Sequence, residues 1–149
     1  MNGTAMWYLP PYNINGWISQ NKNPNQWVEY QNELLLGPYE MWMQPAANGD
    51  RSCIRFTVPK AGYYKVVADF FAPGPPVNAN CQATTDVHFV INNVEQRSLW
   101  INQNSGRFVF KDLYLNYDDY VQFEVGYGKN KQYGCDVTGA RINFERSDD

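Results

Sequence analysis

The stretch from Val58 to Phe71, VPKAGYYKVVADFF, constrains the chain most strongly. Pro59, Lys60, Ala61 and Gly62 make a short punctuated turn. Tyr64, Val66, Ala68 and Phe70 then alternate with Tyr63, Lys65, Val67 and Asp69. A period of two sends these sets to opposite faces of a strand. One face is apolar; the other carries Lys and Asp and meets water. Ahead of the turn, Ile54, Phe56 and Val58 alternate with Cys53, Arg55 and Thr57. The two runs predict antiparallel strands of a sheet with one buried face.

The same period returns along the chain. In 85–92, TDVHFVIN, Val87, Phe89 and Ile91 face inward while Asp86, His88 and Val90 face the other way. Asn92-Asn93 turns the chain, and 95–101 returns as a strand. The run 107–115 offers Phe108 and Phe110, then Leu113 and Leu115. Val121, Phe123 and Val125 alternate with Gln122 and Glu124, and Ile142 and Phe144 close the pattern. Between Glu33 and Met43 lie one or two strands split by Gly37-Pro38. No stretch carries a helical period. About eight to ten short strands at this spacing suit an all-β sandwich or barrel.

The 149 residues are read as a single domain, long enough for a real core. Residues 1–32 are an irregular arm, 33–146 the sandwich and 147–149 a frayed tail. Pro10, Pro11, Gly16 and Pro24 break the arm, and Asn13, Asn15, Asn21, Asn23 and Asn25 fill it with turns. Its rings, among them Trp7, Tyr8, Trp17 and Trp27, are expected to wrap the sandwich as a lid. The alternative is that some of them form a binding surface.

A net charge of −3 with no Lys/Arg block argues against nucleic acid and anionic lipid as partners. No apolar run nears the ~20 residues of a membrane helix, so no membrane insertion is expected. The first residues, MNGTAMWYLPPY, lack a basic n-region and an apolar h-region. They are read as the start of a mature or excised domain behind a start Met, and the chain as secreted or cell-surface. Of the three cysteines, Cys53 falls in a strand as a buried thiol. Cys81 and Cys135 lie in polar loops and are the pair that could form a disulfide. A zinc cage lacks soft ligands, since His88 is the only imidazole.

Catalysis finds little support. No nucleophile pattern surrounds His88, and any carboxylate pair named among 15 acidic residues is a weak signal. No glycine loop precedes a helix to cradle phosphate. The chain does set aromatic rings beside Asn, Gln and Asp in loops. A sugar presents a C–H face that packs on a flat ring and hydroxyls that pair with amides and carboxylates. The candidate cluster is Trp100 near the NQNSG turn (102–106), with Tyr127, Asn130, Tyr133 and Asp136 in and beside the 128–139 loop. In the competing reading Trp100 is core and the loop only a solvated connection. Asp136 has two further roles open to it: capping its own loop, or ligating calcium with backbone carbonyls. No other cofactor is expected.

FTVPKAGYYKVVADF, TTDVHFVIN, FKDLYLNYDDYVQFEVGYGKN and GCDVTGARINF together resemble the jelly-roll pattern of carbohydrate-binding-module-like accessory domains of bacterial secreted proteins. The match spans Phe56 to Phe144. It implies a two-sheet antiparallel jelly-roll sandwich that binds a polysaccharide or glycan without catalysis, and carries over only Asp136 and the loop before it. The strand order also resembles complement-type and tumour-necrosis-factor-like heads, jelly rolls that trimerise around a protein receptor. The face bearing Tyr63, Lys65, Val67, Asp69 and Phe71 separates the two readings. In a monomer the arm or the second sheet should cover it; in a trimer it should meet a neighbour. Lys65 and Asp69 interrupt its apolar row, which favours the monomer. A structural module of a larger protein is the third reading.

Overall fold

A computed structural model describes residues 4–8, 10, 14–30, 34–73 and 83–147. None of these is helical, and no helix long and apolar enough to cross a membrane is found among them. The strands are β1 (Thr4–Tyr8), β2 (Trp17–Asn21), β3 (Val28–Tyr30), β4 (Leu34–Leu36), β5 (Met41–Gln44) and β6 (Ser52–Thr57). They continue with β7 (Gly62–Phe71), β8 (Thr84–Ile91), β9 (Val94–Asn102), β10 (Ser105–Leu115), β11 (Tyr120–Gly126) and β12 (Thr138–Arg146).

A six-stranded sheet has the order β1-β2-β5-β12-β7-β10, and a four-stranded sheet the order β6-β11-β8-β9. Without β1 and β2, the strands β5-β12-β7-β10 face β6-β11-β8-β9. This is the strand order of a jelly roll, in which antiparallel strands are shared between two packed sheets. Every strand pair among the described residues is antiparallel.

The period-two pattern decides what fills the space between the sheets. Tyr64, Val66, Ala68 and Phe70 of β7 meet Val87 and Phe89 of β8 and Val121, Phe123 and Val125 of β11 in one core. Ile54, Phe56, Ile91, Ile142 and Phe144 pack against it, half-buried. The phase change from Phe108/Phe110 to Leu113/Leu115 is a β-bulge: the pairing of β10 with β7 shifts between Phe110 and Leu113. Asn92 and Asn93 both take positive φ, 46° and 65°, as the two-residue turn between β8 and β9 requires.

Two expectations need correction. The N-terminal arm is neither irregular nor a lid. Its β1 and β2 pair with each other and then with β5, widening the larger sheet. The pattern was hidden because β2 buries polar residues: Ser19 and Asn21 are as buried as Trp17. Asn21 explains itself by its bonds. Its Nδ2 donates to the carbonyls of Gln26, Leu36 and Gly37 at 2.7, 3.0 and 3.0 Å, and its Oδ1 accepts from Asn23 N–H at 2.9 Å. Trp17, Leu36, Trp42 and Val137 form a second small cluster, separate from the main core. Pro11 and Asn13 of the arm lie outside the described residues.

The second correction concerns the face of Tyr63, Lys65, Val67, Asp69 and Phe71. Among the described residues neither the arm nor the second sheet covers it: Tyr63 and Lys65 are exposed, and Val67, Asp69 and Phe71 are half-buried. Tyr63 and Tyr114 are each more than half exposed there and meet edge to face at 5.1 Å. The strands of the arm join the far side of the same sheet instead of crossing it, which leaves this outer face open.

Candidate functional site

In this topology the β5–β6, β9–β10 and β11–β12 connections share one end of the sandwich. Both loops singled out in the sequence, 102–106 and 128–139, therefore lie at that end. Direct bonds join the ends of the strands there. Gln103 N–H donates to the Ala83 carbonyl at 3.1 Å, and Ala72 N–H to the Asn104 carbonyl at 3.0 Å. Thr85 and Thr138, both fully buried, hydrogen-bond across the two sheets at 2.7 Å.

The β11–β12 loop turns on residues with left-handed backbone: Gly128 (φ 66°), Lys131 (55°) and Cys135 (64°). Its anchor is Asp136, which has no exposed surface. Asp136 Oδ1 accepts from Thr84 N–H at 2.8 Å and from Thr84 Oγ1 at 3.1 Å. Its Oδ2 is buried with no hydrogen-bond partner. Burial raises its carboxyl to about 6, with the Thr84 bonds pulling the other way. Thr84 Oγ1 in turn accepts from Asn130 Nδ2 at 2.6 Å. Asn130, Thr84 and Asp136 thus form one chain of bonds from the surface inward. The Asp136 side chain does not cap its own loop; it ties the loop to Thr84 at the start of β8. The exposed amides beside it are Asn130 and Gln132.

The rings are placed differently from one another. Tyr133 is 38% exposed, while its carbonyl accepts from Gln44 Nε2. Trp100 is half-buried on the outer side of β9, opposite Asp86. Gly128 lies so close to it that a Cβ there would sit 2.0 Å from Cζ3, and Lys129 Nζ is 5.0 Å from the ring centroid. Tyr127 turns toward the β5–β6 connection and packs on Gly49, where an added Cβ would meet its hydroxyl at 2.7 Å. So the structure links Asn130 and Asp136 through Thr84 and holds Trp100 against the root of the same loop. Tyr127 serves as a wedge under the neighbouring turn. Gln44, Thr84 and Gln132 were not singled out in the sequence. Their roles depend on contacts across long separations, which periodicity does not report.

His88 is buried between two carboxylates. Nδ1 lies 2.7 Å from Glu95 Oε2 and Nε2 lies 2.8 Å from Asp86 Oδ2. Burial lowers its pKa, but the bonds and charge of Asp86, with Glu95, outweigh that and hold it above the usual value. The His88 hydrogen bond holds the Asp86 carboxyl low. With both ring nitrogens taken, His88 has none left to serve as a base. Asp86 Oδ1 also accepts from Gly128 N–H at 2.9 Å, so this cluster fixes the loop's root.

Cys135 is disulfide-bonded and Cys53 is a free, half-buried thiol, raised by burial. Cys81 lies outside the described residues. Among the described residues no group of three or more His, Cys, Asp or Glu could hold a metal ion.

No protein-family model matches the chain, and no curated protein matches it in sequence. Among solved structures, two align with the chain at low similarity. One is a GH26-CBM35 β-(1,4)-mannanase from Podospora anserina, at 10% identity and a TM-score of 0.44, matched over 100% of this chain and 29% of that one. The other is TmCBM61 in complex with β-1,4-galactotriose, at 10% identity and a TM-score of 0.40, over 97% and 83%. The chain thus spans 29% of the mannanase's length.

Proposed function

We propose that this chain is a non-catalytic carbohydrate-binding module that holds a glycan at the loop end of its jelly roll. The observation that carries this reading is the exposed residue Tyr133 beside the exposed amides of Asn130 and Gln132, on a loop anchored by a buried carboxylate. Ring face and amides match the two sides of a sugar. An anchored loop loses little entropy on binding, which favours affinity. Trp100 offers a second, partly covered ring. The disulfide at Cys135 supports an oxidising compartment, hence a secreted or cell-surface setting.

Calorimetric titration with soluble galactan, mannan, xylan and polygalacturonate tests this. Wild type should bind at least one. Tyr133→Ala should then lose about 1–3 kcal/mol, the range for removing a stacking ring. Trp100→Ala should lose less, because Lys129 and Gly128 already occupy part of its surface. If all variants, including Asn130→Ala, bind as wild type does, the loop end is not the site.

The module is proposed to act as a single-domain monomer even though the face expected to be covered in a monomer is open, because charge and not an apolar row dominates that face. Its open outer face is crossed by ion pairs, Lys65 with Glu145 at 3.8 Å and Asp69 with Arg107 at 2.5 Å. The core of an obligate interface is depleted of such charge. Light scattering should give the mass of one 17.2 kDa chain. Three times that mass, unchanged on dilution, would instead favour a trimeric receptor-binding head.

A further inference from the structure

We propose that the groove beneath the β1–β2 hairpin is a second saccharide-binding site, with Trp7 as its stacking platform. The argument starts from unequal sheets. The larger has six strands and the smaller four, and β6 is an edge of the smaller. Trp7 stands opposite Ile18, and Ile18 opposite Met43 of the main core. Residues opposite one another share a face, so Trp7 lies on the core-facing side of the larger sheet. There the hairpin overhangs β6, and Trp7 is 54% exposed instead of buried. The overhang and β6 enclose a cleft of about 410 Å³, lined by Trp7, Ile18, Asn15, Asp50, Arg51 and Cys53 among others. Small-ligand sites occupy roughly 300–1,000 Å³.

The lining has the chemistry a sugar needs. Trp7 is more than half exposed at the cleft, and an indole can stack on the C–H groups of a sugar. Around it stand acceptors and donors with capacity to spare. Asn15 spends its Nδ2 on the Pro10 carbonyl at 2.9 Å, which leaves its side-chain oxygen. Asp50 Oδ2 accepts from Asn48 at 2.8 Å, which leaves Oδ1. Arg51 directs Nη1 to Glu124 at 2.9 Å and lies 3.7 Å from Glu95 through the same nitrogen, which leaves other N–H groups of its fork. The groove is also built, not an accident of a loose hairpin. Gly16 presses so closely on the β5 end that a Cβ would meet the Gln44 carbonyl oxygen at 2.6 Å and Ser52 Oγ at 2.7 Å. Only glycine lets the hairpin seat at that distance, and the seat sets the width of the cleft. The class of ligand rests on the reading of this chain as a glycan-binding module; the cleft itself is separate from the Tyr133 site.

The test is titration of soluble galactan, mannan, xylan and polygalacturonate into wild type, Trp7→Ala, Asp50→Asn and Tyr133→Ala. Trp7 and Asp50 are exposed, so these changes leave the cores intact, and matching thermal unfolding would verify that. Trp7→Ala should weaken one binding event about tenfold or more, the scale of one lost stacking ring. Asp50→Asn should weaken the same event several-fold, and Tyr133→Ala should leave it unchanged. The proposal is overturned if Trp7→Ala and Asp50→Asn bind every polysaccharide as wild type does. If only Tyr133→Ala loses binding, the loop-end site stands and the cleft does not. If only the Trp7 and Asp50 variants lose it, the cleft stands and the loop end does not. If wild type binds none of the four, both fall.

Discussion

Phe123→Ala is expected to destabilise the protein by about 3–5 kcal/mol, the range for truncating a buried Phe. Phe123 is 1% exposed and sits on β11, central in the smaller sheet. Its ring lies 5.3–6.1 Å from those of Phe70, Phe89, Phe108 and Phe144, contributed by both sheets. Its removal therefore leaves a cavity where the two layers meet, and packing on every side limits collapse. Denaturant unfolding at constant m-value measures the loss. A loss under about 1 kcal/mol would be incompatible with a residue at this position.

The second large effect is a pH dependence centred on Asp136. Its carboxyl is raised from 3.8 to about 6 in the folded chain, chiefly by burial. Between those values the folded chain holds a proton that the unfolded chain has lost. Stability from this group is therefore fully present below about pH 3.8 and is lost as pH rises through about 6. A gap of about two pKa units corresponds to about 3 kcal/mol. Two neighbours titrate at the edges of this window. Asp86 is held low, so its contribution is present above its unfolded pKa and lost only as pH falls further. His88 is held high, so its contribution is present below its unfolded pKa and lost as pH rises through the folded one. Comparison with Asp136→Asn isolates Asp136. Asn keeps an acceptor for Thr84 and cannot ionise; any cost of placing its amide at the unpartnered Oδ2 position is independent of pH. From pH 4 to pH 8 the variant should gain on wild type by up to about 3 kcal/mol. Parallel stability profiles would contradict the assignment.

The two effects mark what the sequence could and could not disclose. Phe123 was legible because strand alternation is local: Val121, Phe123 and Val125 declare one face regardless of their partners. The bulge between Phe110 and Leu113 was not read from the sequence, where Phe108, Phe110, Leu113 and Leu115 stood only as apolar residues of one run. β1 and β2 were hidden because a buried Asn or Ser carries no hydrophobic signal. Asn21 fits the interior because its Nδ2 donates to the carbonyls of Gln26, Leu36 and Gly37, the last two brought to it by folding. The residues near the candidate site were partly legible. Asn130, Tyr133 and Asp136 stood out by type and loop position. That Asp136 lies wholly inside, bonded to Thr84 across 52 residues, depends on topology. So does the Trp7 overhang, since it arises from a difference in strand number between two sheets.

The most direct test of glycan binding at the loop end is residue-resolved. Amide ¹H–¹⁵N spectra would be followed while soluble galactan, mannan, xylan and polygalacturonate fragments are added in turn. The account predicts saturable shifts in Asn102–Asn104 and Lys129–Tyr133 and in the Trp100 indole N–H with at least one of them. It is contradicted if these signals stay fixed with all four.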